Sequence, residues 1–111
     1  MKIITVLKQG VLIVRVEGEL DMHSANEFRQ TIDNALDNNE AKHILLNLEG
    51  VDFIDSSGLG VILGRYKRVS LLQGQMLAAH IQPQVAKIFD LAGLLKIIKV
   101  YNNESEALAC I

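Results

Sequence analysis

The sequence predicts an α/β fold with a mixed, mostly parallel sheet of about five strands and about four helices. Two β-branched segments on either side of Gln9-Gly10 predict an N-terminal hairpin. After the hairpin, short apolar runs alternate with longer segments whose apolar residues recur at helical spacing. The chain has 111 residues, half of them apolar, which fits one domain over residues 1–111. The expected order of elements is β-β-α-β-α-β-α-β-α.

The first half of the chain contains the hairpin, one helix and a central strand. Residues 3–7 and 11–17 are the expected hairpin strands. Residues 24–36 place apolar side chains on one face at helical spacing, which predicts an amphipathic helix. Residues 43–48 form a short apolar run between polar residues, which is typical of a strand covered on both faces.

A second helix is expected over residues 57–72, and Gly74 is expected to close it in a left-handed conformation. A short apolar strand follows at residues 76–79. The buried face of this second helix is expected to include Leu59, Ile62, Leu63, Tyr66 and Val69.

The last part of the chain predicts a helix, a strand and a short closing helix. Pro83 suits the first turn of the third helix, and Gly93 is expected to end it. Residues 97–101 predict the last strand and residues 104–110 the fourth helix. Strands that alternate with helices favour parallel pairing with right-handed crossovers.

The composition argues against several classes of function. A formal net charge of −2 gives no basic surface for nucleic acid and no polybasic segment for an anionic membrane. No apolar run reaches the roughly 18 residues of a membrane span, and no signal peptide precedes the first strand, so we expect a cytoplasmic protein. Cys110 is the single cysteine, which excludes an internal disulfide. No cofactor or metal site is expected.

The most informative segment is Asp55-Ser56-Ser57-Gly58-Leu59-Gly60, which we place at the start of the second helix. The first turn of a helix has free backbone N–H groups and the positive end of the helix dipole, so it accepts a capping oxygen or an added anion. Either serine is therefore a candidate for phosphorylation. An equally strong interpretation is that the acid and serines only cap the helix and the glycines only permit close packing.

Other kinds of chemistry have weaker support. Neither serine lies in the Gly-x-Ser-x-Gly pattern of a hydrolase, and no phosphate-binding P-loop is present. Asp55 as a phosphoryl acceptor of a receiver domain would require an acidic pair after the first strand, which the sequence lacks. His23, His43 and His80 belong to separate elements, which favours surface or packing roles over a metal site.

Three motifs carry a resemblance to a known family. They are GELD at residues 18–21, DSSGLGVILGRYK at residues 55–67 and FDLAGL at residues 89–94. With these motifs the chain resembles the anti-sigma factor antagonists of the STAS family over essentially its whole length. The middle motif is highly specific, and the other two support it.

The resemblance implies a protein switch that is not itself an enzyme. It selects Ser56 as the residue phosphorylated by an anti-sigma factor that is a serine kinase with bound adenine nucleotide, and a serine phosphatase reverses the modification. The pathway it implies is sporulation transcription. Because their loops are expected at one end of the sheet, the residues expected to contact the partner are Asp21, Asp55, Ser57, Gly58, the exposed Leu59 and Gly60.

Two alternatives stay open. One is a small hydrolase or phosphotransfer intermediate that uses Asp55 or Ser56. The other is a STAS scaffold subunit of a stress-signalling complex.

Overall fold

A computed structural model describes residues 1–111. Five strands form one sheet in the order β1-β2-β3-β4-β5. The first pair is antiparallel and the other three pairs are parallel, so the predicted mixed sheet is confirmed. The strands are β1 (Lys2–Lys8), β2 (Val11–Glu17), β3 (His43–Gly50), β4 (Met76–Ala79) and β5 (Lys99–Tyr101).

The predicted helices are also present, in the predicted order. They are α1 (Ala25–Asn38), α2 (Ser56–Leu71), α3 (Pro83–Leu91) and α4 (Glu104–Ala109). Pro83 lies in the first turn of α3, and Gly93 follows that helix with a φ of 79°. None of the helices is both long and apolar enough to cross a membrane.

The hairpin turn between β1 and β2 is formed by Gln9 and Gly10, which have φ angles of 54° and 78°. Two successive residues with positive φ are characteristic of a type I′ turn, whose twist matches that of paired strands. The turn brings Lys8 opposite Val11 and Lys2 opposite Glu17.

The sheet buries side chains on both faces. Leu46 of β3 lies in the larger core cluster with Phe28 of α1, Ile62 of α2 and Phe89 of α3. The neighbouring Leu45 points to the opposite face and belongs to a smaller cluster covered by α4. The continuous apolar run of β3 is explained by this double coverage.

The prediction that Gly74 takes a left-handed conformation is wrong. Gln73 is the residue with positive φ, at 63°, and Gly74 follows it. Gly74 is required for a different reason, because a Cβ there would lie 1.8 Å from the carbonyl oxygen of Lys42. The glycine thus permits a close backbone approach between the end of α2 and the segment before β3.

The last strand is shorter than predicted. A 3₁₀ turn at Leu94–Lys96 follows Gly93, and β5 begins only at Lys99. The N–H groups of Ile97 and Ile98 both donate to the carbonyl of Leu94, at 3.1 and 2.8 Å. Because these donors close the turn, they are not available to a sheet partner.

The buried face of α2 differs in part from the prediction. Ile62 and Val69 are buried as expected, and Val61 is buried as well. Three residues of the predicted face are only half-buried, and these are Leu59, Leu63 and Tyr66.

Candidate functional site

Two loops meet at the carboxyl end of β2 and β3. The N–H of Leu20 donates to the carbonyl of Phe53 at 3.0 Å, and the N–H of Asp55 donates to the carbonyl of Leu20 at 3.1 Å. Leu20 and Ile54 also form an isolated parallel bridge. The loop that carries Asp21 is therefore fixed against the loop that leads into Ser56.

Asp55 caps α2. Its Oδ1 accepts hydrogen bonds from the N–H groups of Ser57 at 2.8 Å and Gly58 at 3.2 Å. These two donors have no partner within a helix, so the carboxylate satisfies them and favours a helix start at this point. The helix begins at Ser56, one residue earlier than predicted.

Ser56 is the first residue of α2 and its side chain is exposed. No side-chain hydrogen bond to another protein group engages its hydroxyl. Ser57, the next residue, is half-buried, and its N–H is held by Asp55. The two serines are thus not equivalent, and Ser56 has the more accessible hydroxyl.

Asp21 organises the start of α1 in a similar way. Its Oδ1 accepts from the N–H groups of His23 at 2.9 Å and Ser24 at 3.1 Å. Desolvation alone would raise the pKa of the Asp21 carboxyl, but these hydrogen bonds, with a contribution from the charge of His23, lower that pKa below its ordinary value. Asp21 therefore carries a negative charge at neutral pH.

The glycines at the start of α2 have different surroundings. Gly58 is buried, and a Cβ on it would lie 2.5 Å from the carbonyl oxygen of Leu20. Gly60 is exposed, and a Cβ on it would meet nothing within 4 Å. The fold therefore requires glycine at residue 58 and not at residue 60. Leu59, which we expected to be exposed, is half-buried against the larger core cluster.

Two exposed apolar side chains at this end were not predicted from the sequence. Phe53 is 45% exposed, although Val51 and Ile54 beside it are buried, and Met22 is 70% exposed. An apolar loop residue has no sequence pattern that distinguishes burial from exposure.

His23, His43 and His80 belong to three different parts of the chain. His43 Nδ1 accepts from the N–H of Gln75 at 2.9 Å, and burial, with the charge of Lys42, lowers the pKa of the His43 imidazole. His80 Nδ1 lies 3.4 Å from Glu49 Oε2. No three His, Cys, Asp or Glu side chains are grouped as metal ligands.

A second polar group was also missed, on the sheet face that α4 covers. The guanidinium of Arg15 donates two hydrogen bonds of 2.9 Å to the carboxylate of Glu104. Asn47 donates to the same carboxylate at 2.7 Å. Chiefly because of the Arg15 hydrogen bond, and despite some desolvation, the pKa of Glu104 is lowered to about 2. This group attaches α4 to the sheet.

Comparisons with known proteins give consistent results. Residues 2–107 match the STAS domain family. The chain is 46% identical over 100 residues to a Paenibacillus polymyxa protein named anti-sigma F factor antagonist, covering 90% of this chain and 86% of that protein.

Solved structures of the anti-sigma factor antagonist SpoIIAA are similar as well. The unphosphorylated form has 29% identity and a TM-score of 0.83, with 96% of this chain and 93% of that chain covered. The phosphorylated Bacillus form has 28% identity and a TM-score of 0.76, with 97% of each chain covered. The family match and the matched relatives lead to one conclusion: this chain belongs to the STAS domain family and groups there with the anti-sigma factor antagonists.

Proposed function

We propose that the chain is an anti-sigma factor antagonist switched off by phosphorylation of Ser56. In its unphosphorylated form it binds an anti-sigma factor and so releases the sigma factor. The observation that carries the proposal is the position of Ser56. Its hydroxyl is exposed and free at the start of α2, while Asp55 and Gly58 beside it are engaged in local contacts.

The chemistry belongs to the partners. A serine kinase with bound ATP, which is the anti-sigma factor itself, transfers the γ-phosphoryl group to Ser56 Oγ. The bond from the γ-phosphorus to ADP breaks, a bond to Oγ forms, and the hydroxyl proton passes to a base of the kinase or to water. A serine phosphatase later hydrolyses the phosphoserine. The chain supplies only the acceptor, so it needs no cofactor and is not an enzyme.

A phosphate on Ser56 acts on the partner more than on the fold. It brings a charge of about −1.5 to −2 at neutral pH. The nearby N–H groups of Ser57 and Gly58 already donate to Asp55, so the phosphate finds few new donors. The carboxylate of Asp55 also repels it. The added phosphate therefore remains at the exposed surface, where its volume and its tightly bound water oppose close docking.

The docking surface comprises Asp21, Asp55, Ser57, Leu59 and Gly60 around Ser56. Asp21 and Asp55 present charge, and Gly60 allows a partner to approach the helix backbone closely. Gly58 contributes indirectly, because its contact with Leu20 sets the distance between the two loops. The two solved states of SpoIIAA support a phosphorylation switch, and the similarity to anti-sigma F factor antagonists supports a role in sporulation transcription in the cytoplasm.

The test is phosphoryl transfer measured by intact mass. The purified chain is incubated with the anti-sigma factor of the same organism and ATP, beside Ser56→Ala and Ser57→Ala. We expect one added phosphoryl group on the wild type and on Ser57→Ala, and none on Ser56→Ala. Transfer to Ser56→Ala would show that the site is wrong, and transfer to none of the three would favour a scaffold role.

A further inference from the structure

Two large apolar side chains on the two loops of the candidate site are exposed. Phe53 and Met22 are 45% and 70% exposed, on the two loops that Leu20 joins through backbone hydrogen bonds. Because the loops are fixed to each other, both side chains are held at the same end of the molecule. Exposed aromatic and Met side chains are enriched in protein interfaces.

Acidic side chains predominate at this end. The segments that build it, residues 16–28 and 44–64, contain no Lys or Arg. They contain more than half of the acidic residues of the chain, namely Glu17, Glu19, Asp21, Glu27, Glu49, Asp52 and Asp55.

Most of these carboxylates have no counterion within the chain. Only Glu49 lies within 4 Å of a basic side chain, with its Oε2 3.4 Å from Nδ1 of His80. Lys2 is the nearest cation by register, opposite Glu17 in the hairpin. By contrast, Asp33, Asp37 and Glu104 are all paired with arginines elsewhere. Lys2 and Arg15 line one surface with Glu17 and Glu49, so the negative field at this end is compensated only in part and still favours an approaching surface of positive charge.

We propose that Phe53 and Met22 are the apolar anchors of an interface with the anti-sigma factor, and that the matching face of this partner is basic with an apolar pocket. The identity of the partner depends on the function proposed above. The apolar anchors supply affinity, because they lose water on docking. The unpaired carboxylates supply the rate of association and select against acidic surfaces.

The first experiment measures binding of the purified chain to the ADP-bound anti-sigma factor by surface plasmon resonance. Phe53→Ala should raise Kd by about 30-fold, mainly through faster dissociation, as for a central anchor. Leu91→Ala is the matched control, because Leu91 is 80% exposed but lies at the end of α3. Thermal melting of both variants checks that folding is retained. An unchanged Kd for Phe53→Ala would overturn the proposal.

The second experiment tests the charge. Between about 0.01 and 0.15 M salt the Debye length falls from about 30 to about 8 Å, so we expect the wild-type association rate to fall by about tenfold. The double variant Glu19→Gln, Asp52→Asn should associate more slowly and show a weaker salt dependence, because two of the seven carboxylates are neutralised. Glu40→Gln, an exposed acid outside the two segments, is the control and should behave as wild type. A wild-type rate that is independent of salt would refute a basic partner face.

The outcomes separate this proposal from the proposed function. If Ser56 is phosphorylated but the Phe53 and charge variants bind like wild type, the switch stands and this interface is wrong. A second copy of the chain could also dock on Phe53 and Met22, because its unpaired lysines provide positive charge. Sedimentation of the chain alone is expected to give a monomer, and a concentration-dependent dimer lost in Phe53→Ala would assign the anchors to self-association instead.

Discussion

Two glycines in the same helix turn should respond in opposite ways to the same substitution. Gly60→Ala adds a Cβ that meets nothing within 4 Å, so only helix propensity changes, which stabilises the fold by about 1 kcal/mol. Gly58→Ala places a Cβ 2.5 Å from the Leu20 oxygen and 2.9 Å from Ile54 Cγ1. Such overpacking costs about 1–3 kcal/mol, and the gain in propensity offsets only part of it. The gain in propensity is common to both variants, so their stabilities should differ by the overpacking cost, about 1–3 kcal/mol.

The assay is urea unfolding followed by circular dichroism at 222 nm, with the slope of the transition compared between variants. For a chain of this size, 1 kcal/mol corresponds to about 4 °C in Tm, which gives an independent check. If Gly60 also lets the anti-sigma factor approach, Gly60→Ala will be more stable and yet bind more weakly. Equal stabilisation by both substitutions would refute the close contact between Gly58 and Leu20.

Three further outcomes are expected. Gly74→Ala should destabilise the fold by about 3 kcal/mol in urea unfolding, the upper end for overpacking, because the added Cβ clashes with the backbone of Lys42. An effect below about 1 kcal/mol would count against the close contact between Gly74 and Lys42. Glu104 has a folded pKa of about 2, below its ordinary value, so it stabilises the fold above pH 4.5 and the contribution is lost as pH falls toward 2. In Glu104→Gln, the free energy of unfolding should therefore depend less on pH in this range, with a loss of no more than about 1 kcal/mol. An acid unfolding transition identical to that of the wild type would exclude the pair between Glu104 and Arg15. Ser56→Asp should weaken anti-sigma factor binding only in part in calorimetry, because a carboxylate is smaller than a phosphate and has fewer oxygens to desolvate. Wild-type affinity would show that an added anionic group at residue 56 does not oppose docking.

The order of strands and helices could be predicted because the apolar residues recur at spacings of two or about 3.6. Pro83 and Gly93 marked real helix boundaries for the expected reasons. The errors arose where a contact distant in sequence decided the conformation. Glycine is required at residue 74 because the backbone of Lys42 lies close to it, and β5 is shorter than predicted because the carbonyl of Leu94 closes a turn before it.

The site was predictable to a similar extent. The carboxyl ends of neighbouring parallel strands share one edge, so the meeting of the Asp21 and Ser56 loops follows from the topology. The topology does not predict the burial of Gly58 or the exposure of Phe53, because each depends on how the two loops pack. The pair between Arg15 and Glu104 joins residues far apart in the chain and has no local signature.

The bridge between Leu20 and Ile54 also determines at which stage of folding the protein can bind its partner. These residues are distant in sequence, and their pairing depends on the parallel alignment of β2 and β3. Contacts of this kind form after local helices and hairpins during folding. A nascent or partly unfolded chain therefore presents no complete docking surface and cannot compete for the anti-sigma factor. Conversely, a partner present at a concentration of 100 times its Kd would stabilise the native state by about 2.7 kcal/mol, so partner binding and folding stability are coupled.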